Sequence, residues 1–211
     1  SAFDGDSLTG VTIDGDALTG ANALNFSATH LDRAITILGG AGADTIVDGA
    51  GNDSIVTNGG ADTVTLSGNG NNTVSTGAGA DTIEAGTGND SISSGDDADT
   101  VTLTAGVNTL DSGAGADTIT LGTGTDSVLS GAGADLIQAN ANLTVADTIT
   151  GGTEADKLTI TNDTAVTDLD NVTEVETIEL LDGNSFAYMI SNNSAFDGDS
   201  LTGVTIDGDA L

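Results

Sequence analysis

One carboxylate returns along this chain at a nearly constant interval. Between Gly39 and Thr159 it holds the sixth place of a nine-residue unit, at Asp44, Asp53, Asp62, Asp81, Asp90, Asp99, Asp117, Asp126, Asp135, Asp147 and Asp156. Asn72 and Asn108 take the same place in two further units, which makes thirteen in all. Carboxylates set among glycine-rich turns supply hard oxygen donors. Such donors suit a hard cation that takes six or more oxygens.

The rest of the unit says what must position those carboxylates. The eighth place is always aliphatic, running from Ile46, Ile55 and Val64 through to Ile149 and Leu158. The triplet around it is too short for a helix and rich in β-branched residues, so it predicts a short strand. Because side chains alternate across a strand, position eight is expected to be the one that points inward. The glycines ahead of the Asp allow tight turns. One aliphatic per unit cannot make a core alone, but stacked units can. The fold class expected is therefore all-β, a parallel β-solenoid.

The opening unit, Gly39-Gly40-Ala41-Gly42-Ala43-Asp44-Thr45-Ile46-Val47, matches the pattern G-G-x-G-x-D-x-U-x. In this the stretch resembles the RTX repeats of secreted bacterial proteins. The resemblance implies a right-handed parallel β-roll with two nonapeptides per coil. Calcium would sit between the loops of successive coils, held by the motif Asp and by loop carbonyls. Two units per coil sort the acids into two edges. Asp44, Asp62, Asp81, Asp99, Asp117, Asp135 and Asp156 form an unbroken first edge. Asp53, Asn72, Asp90, Asn108, Asp126 and Asp147 form a second edge interrupted by amides. The metal ligands expected are the seven first-edge Asp with Asp53, Asp90 and Asp126. The alternative for each is an Asp that only closes an Asx-turn. Rungs on one edge are 18 or 19 residues apart, stretching to 21 at the last rung, where Ala139 to Val145 carries an insertion.

Composition narrows the function. The chain has 33 acidic residues against two basic ones, Arg33 and Lys157, a net charge of −31. Low hydrophobicity with such charge signals disorder, yet 37% of residues are hydrophobic and they fall in register. A fold conditional on counter-ions reconciles the two. The charge argues against nucleic acid and anionic membranes as partners and for divalent cations. No apolar run reaches transmembrane length, so no membrane insertion is expected, and no secretory signal peptide is visible. There is no cysteine for a disulfide or thiolate site. With four Phe, one Tyr and no Trp, there is little material for an aromatic ligand pocket. The single His30 excludes a two-histidine zinc protease motif, and neither G-x-S-x-G nor a phosphate loop occurs. The chain is not expected to be an enzyme.

Four segments emerge. Residues 1–38 are expected to form larger lead-in coils, with strands at Val11 to Ile13 and Ala34 to Leu38. Ala23 to Leu31 reads as a strand or a short helical turn. The pairs Asp4-Gly5-Asp6 and Asp14-Gly15-Asp16 are either extra calcium ligands or solvated turns. Residues 39–159 are the nonapeptide roll. Residues 160–193 are closing coils, with Leu169, Val172, Val175, Ile178 and Leu180 leading through the strand Glu176 to Leu181. Phe186 to Ile190 would be a further strand. Residues 194–211 repeat residues 1–18 without a change, at an offset of 193. That identity reads as the start of the next period of a tandem array. No cap is apparent at either end, so periods are expected to join end to end.

The reading is a calcium-dependent structural repeat of a large secreted bacterial protein, building a surface layer, matrix filament or adhesin stalk. Its partners would be calcium and neighbouring copies of the same repeat. Its place would be extracellular, reached by one-step (type I) export, as the resemblance implies. A second reading is an ice-binding RTX module, which needs an unbroken outward row of Thr or Asn. Thr63/Thr65, Thr100/Thr102 and Thr118/Thr120 hint at one, while Val47, Glu84 and Gln138 interrupt it. A third is the export and folding-aid domain of an RTX enzyme or toxin.

Overall fold

The computed structural model describes residues 10–18, 22–161, 169, 171–181 and 205–207. None of the described residues is helical. Successive strands alternate between two parallel sheets, one of nine strands and one of ten, so the chain winds about eight turns of a β-solenoid. Registers advance one coil at a time, as in Thr82↔Thr100↔Thr118, and the aliphatics stack as Ile83↔Val101↔Ile119. Backbone polar groups are satisfied between coils rather than within them.

Strands form where the triplets predicted them. Thr45–Val47, Thr63–Thr65, Thr82–Glu84, Thr100–Thr102 and Thr118–Thr120 lie in the ten-stranded sheet. Strands of the nine-stranded sheet run two or three residues longer, as in Thr73–Ala78 and Thr109–Ala114. In the lead-in, Val11–Asp14 and Ile35–Gly40 are strands, and the ambiguous stretch resolves as the strand Asn25–Ser27. Leu169, Val172, Val175 and Ile178 are buried, and Thr177–Leu181 pairs with Lys157–Thr161. The expected strand at Phe186 to Ile190 lies outside the described residues.

The core corrects one expectation. All thirteen position-eight aliphatics are buried, each at most 3% exposed. They are not the only inward residues. The side chain two places on also points in, because alternation continues past the triplet. After strands of the ten-stranded sheet this second column reads Asp48, Leu66, Ala85, Leu103, Leu121, Ala139 and Ile160. After strands of the nine-stranded sheet it reads Thr57, Thr76, Ser94, Ser112 and Ser130, all fully buried. Each hydroxyl donates to the matching carbonyl one coil on, for example Thr76 Oγ1 to Ser94 O at 2.9 Å and Ser112 Oγ to Ser130 O at 2.7 Å.

Coil contact dictates the glycines. A Cβ on Gly77 would meet Asn58 O at 1.8 Å, and one on Gly133 would meet Gly115 O at 1.6 Å. Gly77 and Gly133 also sit at φ +103° and +137°. The insertion after Ala139 folds into a turn (Asn142 N–H to Ala139 O, 2.9 Å) that seats Leu143 in the core.

Position eight sets stability. Ile119→Ala opens a void at a fully buried site and should cost about 2–5 kcal/mol, seen as a fall in urea midpoint in excess calcium. Leu129→Ala, at a site 41% exposed, should stay within about 0.5 kcal/mol. Equal shifts would mean that the aliphatic column is not the core.

Candidate metal centre

Each position-six side chain sits where a loop enters its strand, with its carboxylate turned under the coil. Its Oδ1 is already engaged. Asp62 Oδ1 accepts the backbone N–H of Asp44, Asp81 that of Asp62, Asp99 that of Asp81, and Asp117 that of Asp99, at 2.7–2.8 Å. Asp135 and Asp156 continue the ladder at 2.8 and 2.9 Å, and Leu24 N–H caps it at Asp44. The second edge runs the same way. Ile35 N–H donates to Asp53, Asp53 N–H to Asn72, Asn72 N–H to Asp90, and so on through Asn108 and Asp126 to Asp147. These bonds join one coil to the next, so the residues do not merely close Asx-turns in their own loops. Amide and carboxylate serve equally, because both offer an Oδ1.

The other oxygen separates the two edges. Oδ2 is buried without a hydrogen-bond partner in Asp44, Asp62, Asp81, Asp99, Asp117, Asp135 and Asp156, which is the complete first edge. On the second edge the same holds only for Asp53 and Asp90 among the position-six residues. Asn72 Nδ2 donates to Gly70 O, and Asn108 Nδ2 donates to Asp126 Oδ1 at 2.9 Å. Asp147 Oδ2 accepts Thr144 N–H at 2.6 Å. At Asn72, Asn108 and Asp147 the second polar atom of the side chain is thus engaged within the protein.

Burial shapes the protonation. It pushes Asp44, Asp53, Asp81, Asp90, Asp99, Asp117, Asp126, Asp135 and Asp156 above the usual carboxylate range, against the opposing pull of their backbone N–H donors. For Asp99 and Asp156, neighbouring carboxylates add to burial and the value reaches about 6. Glycine makes room for the spare oxygen. A Cβ on Gly39 would come 2.2 Å from Asp44 Oδ2, and one on Gly151 would come 2.7 Å from Asp156 Oδ2.

Rows of buried anionic oxygens, one per coil and without a donor, are what a cation would satisfy. The RTX calcium-binding nonapeptide repeat (4 copies) has a family model that matches residues 36–64, 66–101 and 103–137. This stretch belongs to the RTX family. No curated protein sequence matches the chain. The RTX roll is a calcium-binding structural module, and the residues here fit that ion. Among the described residues no three acidic or histidine side chains converge. Each calcium in the RTX coils would therefore take one or two Asp Oδ2 and complete its shell from loop carbonyls, which suits an ion accepting six to eight oxygens.

Three features escaped the sequence reading. Glu176 extends the first edge, with its Oε2 accepting Asp156 N–H at 2.7 Å. The signal was there, since Glu176-Thr177-Ile178 repeats the acid-Thr-Ile of Asp44-Thr45-Ile46. The buried hydroxyl column was visible as Ser or Thr every 18 or 19 residues. Asp48, fully buried outside the sixth place, carried no repeat signal. Of the lead-in acids, Asp14 accepts Asp16 N–H in an exposed Asx-turn, and Asp4 and Asp6 lie outside the described residues. His30 is exposed in a turn.

The raised carboxyls predict a reversed acid response without calcium. A folded-state pKa near 6 against 3.8 unfolded means that folding favours the protonated form. That stability is complete below about pH 3.8 and disappears as pH rises through about 6. In EDTA the melting midpoint should therefore be higher at pH 5 than at pH 7.5. A midpoint that rises with pH would contradict the buried-carboxylate account.

Proposed function

We propose that the protein is a calcium-stiffened structural repeat of a large secreted bacterial protein, joined end to end with its own copies in a surface layer, filament or adhesin stalk. The observation that carries the array is the duplicated lead-in. Thr205–Asp207 belongs to the stretch identical to residues 1–18, and it lies parallel on Thr177–Leu181 with Thr177↔Thr205 and Ile178↔Ile206 paired. The end coil of one period thus accepts the opening strand of the next. Its counterpart Val11–Asp14 stands in the nine-stranded sheet, whereas Thr205–Asp207 joins the ten-stranded one. The Thr-Ile-Asp triplet has the alternation that either sheet accepts. Toward the other end of the described residues, Val11, Ile13, Phe26 and Leu31 line an apolar cavity of about 330 Å³.

Calcium is the proposed lock. The seven first-edge Asp from Asp44 to Asp156 bound six inter-coil gaps, and each carries a buried Oδ2 without a hydrogen-bond partner. Sites so numerous would be empty at cytosolic calcium and filled outside the cell, in keeping with RTX repeats being typical of secreted bacterial proteins. The ice-binding reading gains one observation and loses on another. Thr45, Thr63, Thr82, Thr100 and Thr118 stand in an unbroken row. The parallel row beside it reads Val47, Thr65, Glu84, Thr102 and Thr120, and the exposed Glu84 breaks the flat face such binding needs.

Chelation tests the lock. Thermal melts followed by circular dichroism at neutral pH should show a lower midpoint in EDTA, restored by calcium and not by sodium at equal ionic strength; an unchanged midpoint would sink the proposal. Asp81→Ala should lower both bound calcium and melting midpoint, and Asn72→Ala should leave the calcium count unchanged. Equal calcium losses would mean the edges are alike. A chain of two periods tests the array. At about eight turns per period and about 4.8 Å per coil, a period spans on the order of 40 Å. Small-angle scattering on two periods should then report a stiff rod roughly 80 Å long. A broad spread of interdomain angles would favour beads on a string.

A further inference from the structure

Asp48 breaks the apolar column in which it stands. The residues at the same place in later coils are Leu66, Ala85, Leu103, Leu121 and Ala139. Asp48 is nevertheless fully buried. Its Oδ1 accepts the backbone N–H of Ser67 at 2.5 Å, and Ser67 Oγ lies 3.3 Å from the same oxygen while donating to Asp48 O at 2.6 Å. Its Oδ2 has no partner. Asp48 occupies the first place of its loop and Asp53 the sixth. Gly39 shows where a first-place side chain points: a Cβ there would lie 2.2 Å from the free oxygen of its own Asp44. Asp48 holds the equivalent place in its own loop, near enough to Asp53 for each carboxyl to influence the other's protonation. Asp53 is 3% exposed and its Oδ2 is also unpartnered. Two buried carboxylates of one loop, each with an Oδ2 that has no donor, therefore lie close together on the edge where the next rung, Asn72, contributes no charge.

We infer that Asp48 and Asp53 form a divalent-cation site of the calcium class within a single loop, distinct from the ladder sites that take one Asp from each of two loops. The inference rests on the reading that buried, donor-free carboxylate oxygens in this roll are cation ligands. Two carboxylates with surrounding loop carbonyls supply hard oxygens of the kind calcium accepts. The second carboxylate restores on this edge the charge that Asn72 withholds. The competing arrangement is one in which Asp48 and Asp53 share a proton and no ion enters.

Asp48→Asn separates the two, because it preserves side-chain size and the acceptor for Ser67 N–H. Calcium bound at saturation would be counted by equilibrium dialysis with atomic emission, and melting midpoints taken in excess calcium and in EDTA. The variant should bind one calcium fewer than the native chain. Its midpoint should fall in calcium and rise in EDTA, where the substitution relieves repulsion. An unchanged calcium count, or a midpoint raised in both conditions, overturns the site in favour of the shared proton. Asp48→Ser, which places at this position the kind of hydroxyl found in the first-edge loops, repeats the count if the amide folds poorly. A native chain that binds no calcium sinks the wider functional proposal as well, whereas an unchanged count in Asp48→Asn alone sinks only this site.

Discussion

Every first-edge carboxylate in this solenoid is half committed. One oxygen holds the backbone N–H of the previous coil, and the other is buried with no donor. A rung hydrogen bond contributes about 1 kcal/mol net, or up to about 3 kcal/mol when one partner is charged. Two carboxylates one coil apart, about 5 Å, repel by about 3 kcal/mol at an effective dielectric of about 20. Ladder and repulsion are of similar size, so the ionised stack gains little from its own bonds. Desolvation of the spare oxygens then tips the balance against it. A proton or a cation must take the second oxygen. The same geometry is what the proposed calcium lock and the expected acid response both rest on.

The glycines follow from that constraint. For successive Asp to touch coil to coil, the loops must stack with carbonyls almost on the next Cα, as at Gly77, Gly95 and Gly113. In the six first-edge loops that lead to Asp62 through Asp156 the second and fourth places both take positive φ, and three residues with side chains adopt it there, Asn58, Asp97 and Glu154. Each tolerates a conformation that costs roughly 1–2 kcal/mol. Glu154 recovers part of it by accepting Gly133 N–H and the Thr153 hydroxyl. The buried Ser and Thr column binds coil to coil on the sheet side of the same loops, so first-edge stacking is held from two directions.

A solenoid of this kind is nearly one-dimensional: each coil contacts its neighbours and little else. Anything that binds the first-edge oxygens acts on the joints between coils rather than on a distant site. The pairing of Thr177–Leu181 with the duplicated strand Thr205–Asp207 adds one more parallel strand to the ten-stranded sheet.

The nine-residue pattern alone determined the strand triplets, the thirteen buried aliphatics, the two edges and the 21-residue step at the insertion, since each follows from local periodicity. It also determined that the second edge carries less charge, because Asn72 and Asn108 are visible as amides. Tertiary structure decided what each carboxylate does. Nothing local reveals that Oδ1 is spent on the neighbouring coil, that Asn108 Nδ2 donates to Asp126 Oδ1 and Thr144 N–H to Asp147 Oδ2, or that Glu176 becomes one more rung. The second inward column, with its hydroxyls and the buried Asp48, likewise depends on how far each strand runs before it turns. The reason is physical. Which way a side chain points along a strand is a matter of period two, but whether its oxygens find donors is settled by the coil stacked against it, about twenty residues away in sequence.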